Sequence, residues 1–248
     1  MLTVSDLYLD KKINFARGRY NILDCGIRTG KTYWAIHYLK DFTRDNDCRR
    51  ILFLTDTTAL KETLIEQYPD QCCEVDTIWA HSDSSLGTHD DVSDKIGVMC
   101  YQALGMRVVK DDLDFLNAID VICWDECDSI FDFAASAFAR ARKFDFARKD
   151  STNGEILNLI QQHSTNKEYM PLILLGFWER IINENRVLCV GLSATPERAK
   201  AYYDSLVSMS YRGKIDSGFR AAADIYYKNI HDHIKELHPV PGIGYWAQ

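Results

Sequence analysis

Nine residues, Asp24-Cys25-Gly26-Ile27-Arg28-Thr29-Gly30-Lys31-Thr32, constrain this chain more than any other stretch. They lie between an apolar run, Tyr20 to Leu23, and a segment of helical character, Tyr33 to Leu39. Strand, glycine-containing loop, Lys-Thr and helix is the layout of a phosphate-binding loop. A helix N-terminus presents unpaired N–H groups and the positive end of the helix dipole. Gly30 leaves room for a phosphate to approach the backbone. Lys31 would reach the β- and γ-phosphates, and the Thr32 hydroxyl would ligate Mg²⁺. The strict pattern asks for glycine where Cys25 stands; Gly26 is displaced by one. Alone, Gly-Lys-Thr also fits a surface turn with a solvated lysine, so the rest of the chain has to decide.

Strand-like and helix-like stretches alternate along the sequence. Arg50 to Thr55 reads as a buried parallel strand. Thr57-Thr58 would cap a helix from Ala59 to Tyr68, and Val75 to Trp79 is a short strand candidate. Lys95 to Cys100, Ile119 to Trp124 and Val187 to Leu192 are further strands. Helices are expected over Phe131 to Lys149, Glu155 to Gln162 and Pro171 to Asn183, the last with proline in its first turn. Further expectations are a helix near Glu197 to Val207, a strand at Asp224 to Tyr227 and a helix near Ile230 to Leu237. His238-Pro239-Val240-Pro241-Gly242 breaks regular structure and reads as a linker. Such alternation implies right-handed crossovers and a parallel sheet with helices on both faces. Loops after the strands then gather on one edge, where ligands bind.

At 248 residues and 46% hydrophobic, the chain can bury a substantial core. No apolar run approaches the ~20 residues that span a bilayer, and no secretory leader is evident, so a soluble cytoplasmic protein with no membrane partner is expected. The 8 cysteines include no C-x-x-C pair, which argues against zinc. A formal charge of −7 gives no global clamp for nucleic acid but leaves room for a local basic groove. The stretch Phe138 to Lys149 alternates basic and aromatic residues; an amphipathic helix with Phe inward and Arg outward is favoured over a strand-stacking element.

Asp125-Glu126 follows a strand. One carboxylate there can hold Mg²⁺ and the next can orient or deprotonate a water, the two needs of phosphoryl transfer to water. Asp125-Glu126-Cys127-Asp128 resembles the D-E-x-D box of superfamily 2 helicases of the DEAD/DEAH-box type. Ser193-Ala194-Thr195, followed by Pro196-Glu197, resembles their motif III, and Gly26 to Thr32 their motif I. Leu54 to Leu60 stands where motif Ia would, and Cys100 to Leu104 is similar to a segment that often reads Thr-Tyr-x-x-Leu. The resemblance runs from about Tyr20 to Glu197, one P-loop NTPase α/β domain with a RecA-like sheet.

The resemblance implies a site. Gly26, Arg28, Thr29, Gly30, Lys31, Thr32 and Tyr33 would hold ATP; Thr32 and Asp125 would hold Mg²⁺. Lys31, Asp125 and Glu126 would be catalytic, with Glu126 activating water. Ser193, Ala194 and Thr195 would couple nucleotide state to single-stranded DNA or RNA, which Thr55, Tyr101 and Gln102 would touch. Departures are Cys25 in the loop, Cys100 where threonine is common, and no adenine-recognising Gln motif upstream. The expected organisation is a helicase ATP-binding domain over 1–238, the first of two, with 239–248 a linker or the start of the second. That second RecA-like domain, in cis or trans, would bring arginine fingers, which contribute ~10³–10⁵ in rate. Two alternatives stand beside it: a packaging-type P-loop motor, and a platform that binds nucleotide or protein without turnover.

Overall fold

The computed structural model describes residues 3–11, 13, 15–19, 21–25, 29–43, 50–75, 95–144, 155–156, 158–160, 167–194 and 205–208. Seven strands form one sheet in the order β3-β4-β2-β5-β6-β1-β7, and every neighbouring pair is parallel. The strands are β1 (Asn21–Asp24), β2 (Ile51–Thr55), β3 (Cys72–Glu74), β4 (Ile96–Cys100), β5 (Val121–Trp124), β6 (Leu188–Ser193) and β7 (Ser205–Ser208). β1, β2, β5 and β6 reverse the order of the chain at the centre of the sheet, which opens a crevice at their carboxyl ends. This is a RecA-like P-loop α/β fold.

The sheet is apolar on both faces because helices cover both. Successive residues of a strand enter different cores. Leu23, Ile51, Phe53 and Cys123 pack on one side, and Ile22, Leu52, Leu54 and Trp124 on the other. The first core lies under α1 (Val4–Leu9), α2 (Lys31–Tyr38) and α3 (Thr58–Gln67). The second lies under α4 (Tyr101–Val109), α5 (Leu113–Ala118), α6 (Asp128–Phe144) and α7 (Met170–Asn183). Near-continuous apolar runs such as Ile51 to Leu54 follow directly from this double coverage.

Local chemistry sets the ends of the helices. Thr3 and Asp6 make a reciprocal capping box on α1. Thr57 caps α3 by accepting from Leu60 N–H, and a proline enters the first turn of α7. Arg140, Arg142 and Lys143 of α6 face solvent while Phe138 packs on the core, as an amphipathic helix requires; 145–149 of that stretch lie outside the described residues.

The structure adds one strand and changes one expectation. A strand not expected from the sequence, Cys72–Glu74, follows α3; the candidate at Val75 to Trp79 lies, from residue 76 on, outside the described residues. The added strand starts in a polar stretch because only Cys72 of the three is buried. The helix expected near Glu197 to Val207 has a strand at its end, β7, paired with β1 from Asn21↔Ser205 to Asp24↔Ser208. An unpaired edge of β1 offers hydrogen bonds that helical propensity does not outweigh. The expected elements at 224–227 and 230–237 lie outside the described residues.

Among the described residues no helix is long and apolar enough to cross a membrane, and every described cysteine is a free thiol.

Candidate functional site

Three strand ends meet at the carboxyl edge, and backbone hydrogen bonds tie them together. Cys25 N–H donates to Ser193 O at 3.0 Å, joining the loop after β1 to β6. Asp125 N–H donates to Leu54 O at 3.1 Å and Cys127 N–H to Leu192 O at 3.0 Å. The Asp125-Glu126-Cys127 turn is thus held between β2 and β6. The turn is tight: Glu126 has φ 47°, a left-handed conformation that glutamate adopts only under constraint. Gly191 makes the seating possible, since a Cβ there would meet Cys127 Sγ and Ile22 Cδ1 at 2.7 Å.

The start of α2 bonds back to the end of β1. Gly30 caps α2 with φ 84°, and a Cβ built on it would meet nothing within 4 Å. Among the described residues nothing covers this helix N-terminus, whose unpaired N–H groups can cradle an anion. Lys31 Nζ, buried, donates to Cys25 O at 2.7 Å. The residue that departs from the glycine pattern thus meets Lys31 through its carbonyl, and its side chain is wholly buried.

Gly30, Lys31, Thr32, Asp125 and Glu126 line one cleft of about 460 Å³. Burial pushes the Asp125 carboxyl up to about 6; Glu126 raises it further and Lys31 opposes. Burial also raises Glu126, with Lys31 lowering it and Asp128 raising it. Two crowded carboxylates facing one lysine are short of positive charge. That shortage, a carboxylate and a threonine lining the same cleft, and an anion cradle fit Mg²⁺ with a polyphosphate. Mg²⁺ prefers one or two carboxylates plus phosphate oxygens to an all-protein cage.

Behind the carboxylates runs a link between two motifs that is not visible in the sequence. Ser193 Oγ donates to Asp128 Oδ1 at 2.7 Å. The fourth residue of the D-E-x-D box therefore connects it to the Ser-Ala-Thr segment. Behind Asp125, Trp124 and Trp178 stack at 4.6 Å with planes 1° apart, and Tyr101 stacks on Trp124 at 5.9 Å.

Tyr101, expected to face nucleic acid, turns inward: it is buried and its hydroxyl donates to Asp125 O. Thr55 is also buried, and its hydroxyl donates to Thr57 O at 3.2 Å. Of that trio only Gln102 is exposed. Tyr33 is half exposed on the wall of the cleft, Thr29 is buried beside it, and Ala194 follows Ser193 at the edge. Gly26, Arg28 and Thr195 lie outside the described residues.

No curated protein matches the chain. The family model described as type III restriction enzyme, res subunit, matches residues 22–198, from β1 through the Ser-Ala-Thr segment. That span holds the cleft and both carboxylates, so the chain belongs to the type III restriction enzyme res subunit family and carries its helicase superfamily 2 ATP-binding domain.

Proposed function

We propose that this domain binds Mg²⁺·ATP at the Lys31 cleft, hydrolyses it, and uses the cycle to move along or open single-stranded DNA or RNA, in the manner of DEAD/DEAH-box-like motors. One observation carries the reading. Lys31, Thr32, Asp125 and Glu126, distant in sequence, line a single cleft whose acidic turn is tied to Ser193 through Asp128.

The roles follow from position. Lys31 leaves the Cys25 carbonyl and takes a phosphate oxygen, a stronger acceptor because it is charged. The N–H groups from Gly30 onward hold the phosphates. Thr32 and Asp125 hold Mg²⁺, whose chemistry there is neutralisation of charge on the phosphate oxygens. Glu126 accepts a proton from a water that attacks the γ-phosphorus; the bond to the β-phosphate oxygen breaks, giving ADP and phosphate. Its raised proton affinity suits that work near neutral pH. Asp128 and Ser193 pass the state of the acidic turn to Ala194 and Thr195. Gln102, with Thr55 and Tyr101 behind it, supports the strand-facing surface.

No arginine lines the cleft among the described residues. A second RecA-like domain, on the same chain or another, would supply it on closing over this edge. In this reading the domain extends over 1–238, and 239–248 leads away from it.

The test is ATP binding and nucleic-acid-stimulated phosphate release by the wild type and by Lys31→Ala. Lys31→Ala should lose ATP binding and all stimulated turnover. A Lys31→Ala protein that hydrolyses ATP at the wild-type rate would remove the site; wild type that binds ATP without ever turning over, even with strand and partner domain, would make it a platform.

A further inference from the structure

The acidic turn is bonded along its backbone. Asp125 N–H donates to Leu54 O at 3.1 Å, Cys127 N–H to Leu192 O at 3.0 Å and Ser129 N–H to Glu126 O at 3.0 Å. These bonds come from the turn itself or from the strands beside it. The Asp125 carbonyl is different. Its donor is a side chain, the hydroxyl of Tyr101, the first residue of α4. That carbonyl belongs to the peptide unit joining the two carboxylate residues. A peptide unit is planar, so fixing its oxygen restrains ψ of Asp125 and φ of Glu126 together. Glu126 is the residue held at φ 47°, where a side chain larger than glycine's stays only if its surroundings impose it.

The span calls for a tyrosine. β4 and β5 are not neighbours: β2 lies between them, with Cys100 opposite Thr55 and Trp124 opposite Leu54. Two inter-strand steps make about 9–10 Å, a gap that a phenol crosses and a serine or threonine hydroxyl does not. Packing aims the ring. It is buried and stacks on Trp124, Trp124 stacks on Trp178, and Phe131 packs on Trp178 at 5.5 Å. Burial, and then the neighbouring Cys127 and Asp125, raise the phenol well above its ordinary 10, so the hydroxyl remains a donor at neutral pH. A ring enclosed in this way offers no face to a nucleic-acid base.

We propose that Tyr101 is a positioning residue for the hydrolytic centre, a step that rests on the ATPase reading of the cleft. Its hydroxyl sets the Asp125–Glu126 peptide so that one carboxylate meets the metal and the next meets the attacking water. Tyr101 does not line the cleft and acts through the backbone of the turn.

Tyr101→Phe deletes the hydroxyl and keeps the ring. Near-ultraviolet dichroism of the tryptophans in the full chain should stay as in wild type. In the metal-free protein, amide exchange over 125–129 should quicken about tenfold, the worth of one hydrogen bond, with β4 and α4 unchanged. ATP titrated without metal should bind as it does to wild type, since Lys31 and the helix N-terminus are untouched. The Mg²⁺ concentration that half-saturates the ATP complex should rise about tenfold. Single-turnover hydrolysis should fall by ~10², the cost of a small misplacement of reacting groups. If the variant keeps wild-type exchange and wild-type Mg²⁺ dependence while Mg²⁺·ATP binds, the positioning role is overturned and the ATPase reading stands. Quickened exchange that spreads through β4, α4 and β5 overturns it as well, by showing that the hydroxyl serves packing. Wild type that binds no ATP, with or without Mg²⁺, overturns the positioning role and the ATPase reading together.

Discussion

At the amino edge of the sheet, two arginines are fully engaged. Arg17 donates to Arg186 O, Phe42 O and Asp120 Oδ1, the last at 2.6 Å. Arg186 donates to the carbonyls of Leu116, Asn117 and Ile119, around the end of α5. At the carboxyl edge the balance is reversed. Asp125 and Glu126 share the field of one lysine, which is itself turned to a carbonyl, and Glu126 sits at a left-handed φ. The same strands thus end in a satisfied set of charges on one side and an under-compensated set on the other. Polar groups committed to one another stabilise the native state. Groups held close without full compensation are available to a ligand, which can relieve the crowding when it binds.

The largest effect should come from the carboxyl edge. Glu126→Gln keeps the shape of the side chain and removes the proposed base. Turnover should fall by ~10²–10⁴, while ATP affinity stays near wild type, read by single-turnover kinetics and equilibrium titration. A stability loss as large as that of an amino-edge variant would show that Glu126 supports the fold, and the contrast between the edges would be gone.

The amino edge should behave in the opposite way. Arg186→Ala leaves three carbonyls without their cation and should cost about 2–3 kcal/mol in urea unfolding. Below its transition, ATP binding should be unchanged. If the variant unfolds as wild type does but binds ATP less well, the arginine acts on the site through β6, and the two edges are coupled.

The sequence showed the carboxyl edge more clearly than the amino edge, for a physical reason. Phosphate chemistry needs particular residue types at fixed offsets from strand ends, so the Lys31-Thr32 and Asp125-Glu126 pairs, which line one cleft, stand out as candidates in the sequence. Arg17 and Arg186 are single residues, and what they bond is set by where α5 and β6 end in space. Ser193 and Asp128 fall between: each belongs to a readable motif, but their bond at 2.7 Å needs β5 and β6 side by side. For Tyr101, a strand-end position gives no indication of which way the ring turns. Here a stack on Trp124 and burial draw it inward. β7 was read as helix because edge pairing with β1 is a long-range contact that local propensity does not register.

The smallest predicted effect tests the comparison most directly, through its sign. The Asp125 carboxyl titrates near 6 in the folded protein, against an ordinary 3.8, chiefly because it is buried and then because Glu126 is close. Between about pH 4 and pH 6, the folded protein holds a proton that the unfolded chain has released. Stability of the metal-free, nucleotide-free protein should therefore rise as pH falls through that window. Above pH 6 the ionised carboxylate is retained at a net cost. Asp125→Asn removes the charge and keeps the volume. With solvent screening of a partly exposed group allowed for, it should stabilise the empty protein by about 1–2 kcal/mol at pH 7.5. The gain should fade by pH 4.5, as urea unfolding at the two pH values would show. The same variant should lose Mg²⁺-dependent ATP binding, since an amide is a poor substitute for a carboxylate at a hard cation. If Asp125→Asn destabilises the empty protein at pH 7.5, attraction to Lys31 outweighs burial, and the carboxyl edge is as satisfied as the amino edge.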